Sequence, residues 1–282
     1  MFQPDLLHGM HVLITGGGTG LGKSMGRRFL ELGASLTICG RRGEVLEATA
    51  AEHRAATAGT VRTRVCDVRD AAAVDAMIEA ADAAEPLAAL VNNAAGNFVA
   101  RSEELSSGAV DAVVGIVLKG SLNCTLACGR RWLAAGRSGT VLSIVTSYAW
   151  TGSAYVLPSA VAKAGVLAMT RSLAVEWGGR GVRLNAIAPG PFPTEGAWQR
   201  LVPRADLARA FETRNPLRRP GRHEELADLA SFLLSGRSGF VNGEVVTIDG
   251  GEWLEGAGQF SFLGRMMGDA DWAALRPRGK NS

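Results

Sequence analysis

Five of eight consecutive residues near the amino terminus are glycine. The stretch is Thr15-Gly16-Gly17-Gly18-Thr19-Gly20-Leu21-Gly22. Glycine tolerates the positive backbone angles of a tight turn and, lacking a side chain, lets main-chain amides come close to a ligand. An apolar β-type run precedes the stretch and an amphipathic helical segment follows it, which is the setting in which a pyrophosphate rests on a helix N-terminus. We predict a dinucleotide-binding loop, with a purely structural turn as the alternative.

A second group of candidate residues, farther along the chain, could donate hydrogen bonds to a substrate. The sequence has only two tyrosines, Tyr148 and Tyr155, and both lie shortly before Lys163. Tyr148 follows a β-type run at the end where sites in parallel sheets are built, and Asn97 follows another. A phenol and an amide can donate to an oxygen on which negative charge develops, and an ammonium adds positive potential. These residues are candidates for catalysis.

The end of the second β-type run bears on the choice of dinucleotide. NAD sites place a carboxylate about twenty residues beyond the glycines, against the ribose 2′-hydroxyl, whereas NADP needs a cation for its 2′-phosphate. Here the run ends Cys39-Gly40-Arg41-Arg42, with no acid at that place. A guanidinium matches phosphate in geometry as well as in charge. We predict NADPH, with Arg41 and secondarily Arg42 on the phosphate; the alternative is that both arginines are merely solvated.

Seven β-type runs alternate with amphipathic segments and must position these residues. The predicted strands are His11–Thr15, Ser35–Cys39, Val61–Cys66, Ala88–Val91, Thr140–Val145, Arg183–Ala188 and Val245–Ile248. Among the helices, Leu21–Leu32 is closed by Gly33, and Ala71–Ala84 has Asp70 as its N-cap. Because right-handed βαβ connections are nearly obligatory, this order predicts an α/β fold with a doubly wound parallel sheet of the Rossmann type.

The domain organisation follows from the same pattern. No linker-like segment divides the 282 residues, so we predict a single domain over residues 1–282. Residues 189–222 interrupt the alternation with six prolines. We interpret this region as a substrate lid within the domain; an ordinary surface excursion is the alternative.

The composition argues against several other classes of protein. A net charge of only +3, scattered along the chain, does not suggest a nucleic-acid surface. The cysteines form no CxxC pair and have no histidine cluster nearby, which favours core thiols over metal ligands or disulfides; they are Cys39, Cys66, Cys124 and Cys128. Because we find neither a secretory leader nor an uninterrupted apolar run of about 18 residues, we expect a cytoplasmic protein that binds no membrane.

The glycine spacing resembles that of one family. Gly-x-x-x-Gly-x-Gly over Gly16–Gly22 differs from the GxGxxG fingerprint of many dehydrogenases. It resembles the short-chain dehydrogenase/reductase family, as do Asn92–Ala94, Asp67 and Asn185–Gly190 after later strands. The resemblance covers essentially the whole chain. It implies a nicotinamide cofactor held by Thr15, Gly16, Gly18, Thr19, Gly20, Leu21, Gly22, Asp67, Val68, Asn93, Ala94, Lys163, Pro189, Gly190 and Thr194.

Two departures from this family bear on the chemistry. Most members carry Tyr-x-x-x-Lys on the helix after the fifth strand, where the tyrosine protonates the oxygen at the hydride carbon; here the segment runs from Ser159 to Lys163. An aliphatic hydroxyl is a far weaker proton donor than a phenol, whose pKa lies near ~10. Val117 stands where the family usually places an asparagine. Ordinary carbonyl reduction is therefore disfavoured.

Within the family the chain resembles the short-chain 2,4-dienoyl-CoA reductases. The segments that carry this resemblance are Asn92–Phe98, Tyr148 with Lys163 fifteen residues later, Pro158–Gly165, Gly190-Pro191, Glu224–Leu226 and Asp249–Gly251. The resemblance implies that Asn97 and Tyr148 hydrogen-bond the thioester oxygen and that Lys163 holds the nicotinamide ribose, while Ser159 assists substrate or cofactor binding. It also implies an acyl-CoA substrate, a 3-enoyl-CoA product formed during unsaturated fatty acid oxidation, and a homo-oligomer, expected to be a tetramer.

Three alternatives stay open. The chain could be another acyl-thioester reductase, acting on trans-2-enoyl-CoA or 3-ketoacyl-CoA. It could be a non-catalytic NADPH-binding sensor, although a sensor would not need both Tyr148 and Lys163. Tyr155, rather than Tyr148, could be the main donor.

Overall fold

Seven parallel strands form the centre of the fold in the computed structural model, which describes residues 2–194, 213–257, 261 and 263–274. They are β1 (His11–Thr15), β2 (Ser35–Gly40), β3 (Val61–Val65), β4 (Leu87–Asn92), β5 (Gly139–Ile144), β6 (Val182–Pro189) and β7 (Val245–Ile248). Their order across the sheet is β3-β2-β1-β4-β5-β6-β7. Every predicted strand is present with each end within one residue of the prediction, so the predicted fold class is confirmed.

Helices connect the strands and cover the sheet. They are α1 (Gly20–Glu31), α2 (Gly43–Thr57), α3 (Ala71–Ala84), α4 (Ser107–Val114), α5 (Gly120–Ala134), α6 (Tyr148–Thr151), α7 (Leu157–Gly178), α8 (His223–Leu234), α9 (Glu252–Ala257), α10 (Leu263–Met266) and α11 (Asp269–Ala274). Gly33, with a φ of +88°, follows α1 as predicted. The Asp70 carboxylate accepts hydrogen bonds from the amides of Ala72 and Ala73, so it caps α3 as predicted.

Each face of the sheet has its own apolar layer. On one face Phe29 of α1 and Leu233 of α8 are buried against the strands. On the other face Ile78 of α3 and Trp132 of α5 are buried in the same way. A parallel sheet that is covered on both sides buries residues of both parities, which explains why the strands are near-continuous apolar runs in the sequence. The four cysteines are buried free thiols, as predicted.

A long helix crosses one face of the sheet. The π-helical segment Gly115–Lys119 joins α4 to α5, so that residues 107–134 are helical throughout. By length and composition alone, this is the one helix within the described residues that could cross a membrane. Half of its most apolar window is buried inside the fold, where α5 packs on α3 and α4 packs on α7. Such burial is typical of a core helix.

The strand order reverses between β1 and β4, and this leaves a crevice at their carboxyl ends. Residues 189–194 lead out of β6, and residues 213–222 lead into α8. The greater part of the predicted lid, residues 195–212, lies outside the described residues. The lid therefore stays a prediction.

Candidate active site

The glycine loop lies at the carboxyl end of β1, where the chain turns into α1. Gly16 and Gly20 have φ angles of +65° and +53°, which glycine adopts without strain. Thr19 is the N-cap of α1, and its side chain makes no capping hydrogen bond. The first amides of the helix therefore have no acceptor from the cap residue. An anion is the ligand that such a helix end suits best.

Thr15 and Asn93 lock this loop to the neighbouring strand β4. The Thr15 hydroxyl accepts hydrogen bonds from the amides of Asn93 and Ala94, both at 3.0 Å. The Asn93 side chain donates to the carbonyl oxygens of Thr15 at 3.0 Å and Gly16 at 3.2 Å. Because Thr15 is almost fully buried, it supports the loop from the interior of the fold.

Thr49 of α2 supports the loop from the other side, and the sequence did not reveal it. Its hydroxyl donates to the Gly18 carbonyl oxygen at 2.8 Å. A threonine in the middle of a helix carries no local signal of such a contact. Only the packing of α2 beside the loop brings the two residues, 31 positions apart, together.

A cleft of about 620 Å³ opens beside the loop, a size typical of ligand sites. The predicted cofactor residues that line it are Gly16, Gly18, Thr19, Gly20, Arg41, Arg42, Asp67, Val68, Asn93, Ala94 and Thr194. Residues that line it without having been predicted include Lys23, Val45, Leu46 and Ile116. The other predicted cofactor residues, Thr15, Leu21, Gly22, Lys163, Pro189 and Gly190, do not line this cleft.

Close backbone approach makes the loop a cradle. A Cβ on Gly16 would lie 3.0 Å from the Ala94 Cα, and one on Gly20 would lie 3.2 Å from the Thr194 Cγ2. Both glycines are therefore needed where the loop meets its neighbours. The cradle, the uncapped helix start and the cleft together fit a dinucleotide.

Positive side chains stand at one edge of the cleft. Arg41 and Arg42 follow β2 and are exposed there. Asp67 is held by Arg69, whose guanidinium contacts the carboxylate at 2.5 Å and lowers its pKa. Arg41 adds a weaker electrostatic effect on the same carboxylate. Two exposed guanidinium groups and an ion-paired carboxylate therefore stand at this edge of the cleft.

The fold brings Asn97, Tyr148 and Ser159 together. The hydroxyls of Tyr148, in α6, and Ser159, in the first turn of α7, share a hydrogen bond of 3.0 Å. The Asn97 side-chain amide donates to the Tyr148 oxygen at 3.4 Å. Its own carbonyl oxygen accepts from the Phe98 amide at 2.9 Å, which turns the NH₂ group toward Tyr148. Two hydrogen-bond donors, the Tyr148 phenol and the Asn97 amide, therefore lie next to each other, and the phenol also contacts Ser159.

Lys163 lies one helical turn after Ser159 and is 6% exposed. Its ammonium donates a hydrogen bond to the carbonyl oxygen of Ile144, at the end of β5. Burial lowers the pKa of Lys163 to about 8. The side chain is thus held against the sheet close to the serine, although it lies outside the cleft that the glycine loop lines.

Three other positions define the surroundings. Val117 is buried in the π-helical segment and packs with Val145, so the side chain where the family carries an asparagine is apolar here. Tyr155 is 59% exposed, and its backbone carbonyl accepts a hydrogen bond from the Ala100 amide; Tyr148 is the tyrosine whose phenol contacts Ser159. The Thr146 hydroxyl, two residues before Tyr148, is buried without a hydrogen-bond partner; its place after β5 was the signal that could have marked it.

The lowered pKa of Lys163 predicts a pH dependence. Because burial lowers the pKa of Lys163 to about 8, the charged fraction of its ammonium falls as the pH rises through that value, and any function that needs the charge falls with it. We expect kcat/KM of the reaction catalysed at this site to fall above about pH 8. It is measured from initial rates between about pH 6 and about pH 10 at constant ionic strength. The Tyr148→Phe variant should keep the same alkaline limb, since it retains Lys163. A profile that stays flat over this range would contradict the role of Lys163.

A dinucleotide cradle beside convergent hydrogen-bond donors defines an oxidoreductase built on a doubly wound sheet. A family model described as enoyl-(acyl carrier protein) reductase matches residues 16–252. The chain belongs to the short-chain dehydrogenase/reductase family.

Two relatives within the family are named as probable 2,4-dienoyl-CoA reductases. The chain is 44% identical over 245 residues to a Bacillus subtilis protein named probable 2,4-dienoyl-CoA reductase, (2E)-enoyl-CoA-producing, with 86% of this chain and 96% of that protein covered. It is 42% identical over 256 residues to a Caenorhabditis elegans protein named probable 2,4-dienoyl-CoA reductase 3, (3E)-enoyl-CoA-producing, with 89% and 83% covered.

A solved structure shares the fold. A gluconate 5-dehydrogenase from Burkholderia cenocepacia, in complex with NADP and tartrate, matches with a TM-score of 0.84 and 30% identity, over 89% of this chain and 98% of that chain.

Proposed function

We propose that this protein uses NADPH to reduce 2,4-dienoyl-CoA thioesters to 3-enoyl-CoA thioesters. The observation that carries the proposal is the contact of Tyr148 with both Asn97 and Ser159, at 3.4 and 3.0 Å. The phenol lies beyond the serine rather than at the serine's position on α7. The names of the two reductase relatives support the same class of substrate.

The displacement of the phenol suits a conjugated thioester. In a ketone, the carbon that receives hydride also carries the oxygen, so the donor belongs next to that carbon. In a 2,4-dienoyl thioester, a hydride that arrives at C5 drives charge through the conjugated bonds to the oxygen on C1. The donors must then lie several bonds away from the hydride carbon. An oxyanion site assembled from Tyr148 and Asn97 meets this requirement.

Each residue of the site has a defined task in this proposal. Tyr148 and Asn97 donate hydrogen bonds to the thioester oxygen, and Phe98 fixes the direction of the Asn97 amide through its backbone N–H. Ser159 orients the phenol and contacts substrate or cofactor. Lys163 holds the nicotinamide ribose and adds positive potential. The bound NADPH supplies the hydride.

We assign the cofactor as NADPH because of Arg41 and Arg42. Replacing Arg41 with alanine should raise the KM for NADPH by about tenfold, since a charge-assisted hydrogen bond to phosphate is lost, and should leave the KM for NADH little changed. Steady-state kinetics with each cofactor measures both values. Arg130→Ala, which removes an exposed arginine of α5 that does not line the cleft, is the matched control. An equal effect on both cofactors would contradict the assignment.

The proposed substrate is tested by comparing three thioesters at equal concentration. NADPH oxidation with 2,4-hexadienoyl-CoA should exceed that with crotonyl-CoA and acetoacetyl-CoA. A preference for crotonyl-CoA would instead indicate a 2-enoyl reductase, the activity named in the matching family model. No turnover of any of the three would indicate a non-catalytic NADPH-binding protein.

The product of the same reaction identifies where the dienolate is protonated. A proton added at C2 leaves the double bond at C3, whereas a proton added at C4 leaves it at C2. The two reductase relatives are named for different outcomes. We expect the 3-enoyl product, and an NMR spectrum of the product mixture distinguishes the two.

A further inference from the structure

Tyr155 has a backbone conformation that is unusual for an aromatic residue. Its φ of +67° lies in the left-handed region, which favours glycine and strains a bulky side chain. The Tyr155 carbonyl oxygen accepts a hydrogen bond of 3.0 Å from the Ala100 amide. This bond ties the segment before α7 to the segment that follows Asn97. The strained conformation therefore serves a specific connection between two loops of the site.

The ring of Tyr155 contributes little to the core. It is 59% exposed, and Val99 and Leu157, which lie on the two connected segments, are 54% and 46% exposed. We call these three residues the apolar lip. Since glycine would make the same backbone connection without strain, the connection alone does not account for the exposed ring. A ligand that reaches the lip would account for it.

The order of the neighbouring groups indicates which part of a ligand would reach the lip. Lys163 and Ser159 lie one turn apart on α7, the Tyr148 hydroxyl contacts Ser159, and the Asn97 amide contacts Tyr148. In the proposed reaction the hydride carbon lies at the lysine end and the thioester oxygen lies at Tyr148 and Asn97. The thioester sulfur and the carrier beyond it then extend from the Asn97 side of the site. Residues 98–100 follow Asn97 in the chain, and the Ala100 amide connects them to Tyr155.

We propose that the apolar lip binds the 4′-phosphopantetheine arm of the acyl carrier; the direction assigned to the substrate rests on the proposed function. The arm combines a branched apolar segment with two amides. An exposed aromatic ring that also carries a phenolic hydroxyl can pack on the first and hydrogen-bond the second. The same arm occurs in CoA and in acyl carrier protein, so the lip would contact either source.

Binding of a saturated thioester tests this without turnover. Hexanoyl-CoA has no double bond to reduce, and its dissociation constant is measured by calorimetric titration of the full-length protein in the presence of NADP. Tyr155→Gly removes the ring and retains the positive φ, so the hydrogen bond from Ala100 can persist. We expect the dissociation constant for hexanoyl-CoA to rise about three- to tenfold. For S-ethyl hexanethioate, which lacks the arm, we expect a change of less than about twofold.

Two further variants separate the effect of losing the Tyr155 ring from a general effect on folding. Tyr155→Asn also removes the ring, and asparagine tolerates a left-handed backbone, so it repeats the test if Tyr155→Gly unfolds. Phe240→Ala removes a fully exposed ring near the amino end of β6, where Val241 accepts hydrogen bonds from Arg183 and Asn185. This control should bind hexanoyl-CoA like the unmodified protein.

The outcomes distinguish the lip from the proposed reaction. An unchanged dissociation constant for hexanoyl-CoA in both Tyr155 variants, or an equal rise for the ethyl thioester, would overturn the assignment. A weakening that also appears with hexanoyl-acyl carrier protein supports the arm as the shared feature, whereas one confined to the CoA ester would assign the lip to the nucleotide part of CoA and overturn the proposal. Failure of the proposed function appears separately, as absent turnover of 2,4-hexadienoyl-CoA by the unmodified protein.

Discussion

The Tyr148→Phe variant should reduce 2,4-hexadienoyl-CoA with a kcat lower by about 10²–10³-fold, the usual loss when one oxyanion donor is removed. The phenol is the group that both Asn97 and Ser159 contact, and phenylalanine keeps its ring volume. The dissociation constant for NADPH should change by less than about twofold, because the hydrogen bonds of the phenol go to Asn97 and Ser159 rather than to the glycine loop.

Rapid-mixing kinetics and a fluorescence titration of NADPH measure the two quantities separately. Asn97→Ala should produce a loss of similar size, because it removes the second donor. Ser159→Ala is the informative comparison: it keeps both donors and removes only the partner that orients the phenol, so its loss should be clearly smaller. Equal turnover in Tyr148→Phe and the unmodified protein would remove Tyr148 from the mechanism. A larger loss in Ser159→Ala would move the chemistry to the serine.

The double variant Asn97→Ala/Tyr148→Phe adds a test of their cooperation. If both donors bind one oxygen, the loss in the double variant should be smaller than the product of the two single losses, since the second donor has less to stabilise once the oxyanion site is broken. Strictly multiplicative losses would instead indicate two independent roles. The expected coupling therefore reports on whether one atom of the substrate receives both hydrogen bonds.

Local patterns in the sequence predict the strands and the cofactor loop, and they do not predict the contacts within the site. Strand ends were accurate because a parallel sheet buried on both faces leaves apolar runs bounded by turn residues. Asn97 and Tyr148 are 51 positions apart, and they meet only because β4 and β5 are neighbours in the sheet. The order of strands supplies that neighbourhood, but the distance between the two side chains depends on α6 and the loop after β4.

Other features depend on packing that leaves no local signature. Thr49 reaches Gly18 because of how α2 lies beside the loop. The π-helical turn around Val117 has no composition that sets it apart from the α-helix on either side. The departures of Ser159 and Val117 were visible in the sequence as residue types, yet the contact that Ser159 makes with Tyr148 required the three-dimensional arrangement. Sequence thus indicated which groups are present, and the fold determines which of them meet.

The Gly22→Ala variant should bind NADPH about 10- to 100-fold more weakly, which corresponds to the cost of overpacking a tight site. Helix propensity alone would favour the alanine variant, because alanine stabilises a helix by about 1 kcal/mol relative to glycine. In α1, however, a Cβ on Gly22 would lie 2.5 Å from the Asn93 side-chain nitrogen and 2.6 Å from the Gly16 carbonyl oxygen. The second atom is backbone, so the glycine loop itself would have to move.

In Gly22→Ala the added Cβ displaces either the glycine loop or the start of α1. Both displacements move the amides that suit a phosphate, and the extent of the movement sets the loss of NADPH affinity. Gly108→Ala is the matched control, since a Cβ on Gly108 in α4 meets no atom within 4 Å; there we expect unchanged NADPH affinity. Thermal unfolding with and without NADPH measures the effect on both variants. The cofactor should raise the melting temperature of Gly108→Ala as it does that of the unmodified protein, and that of Gly22→Ala much less. Equal stabilisation of the two variants would mean that the pyrophosphate does not rest on this loop.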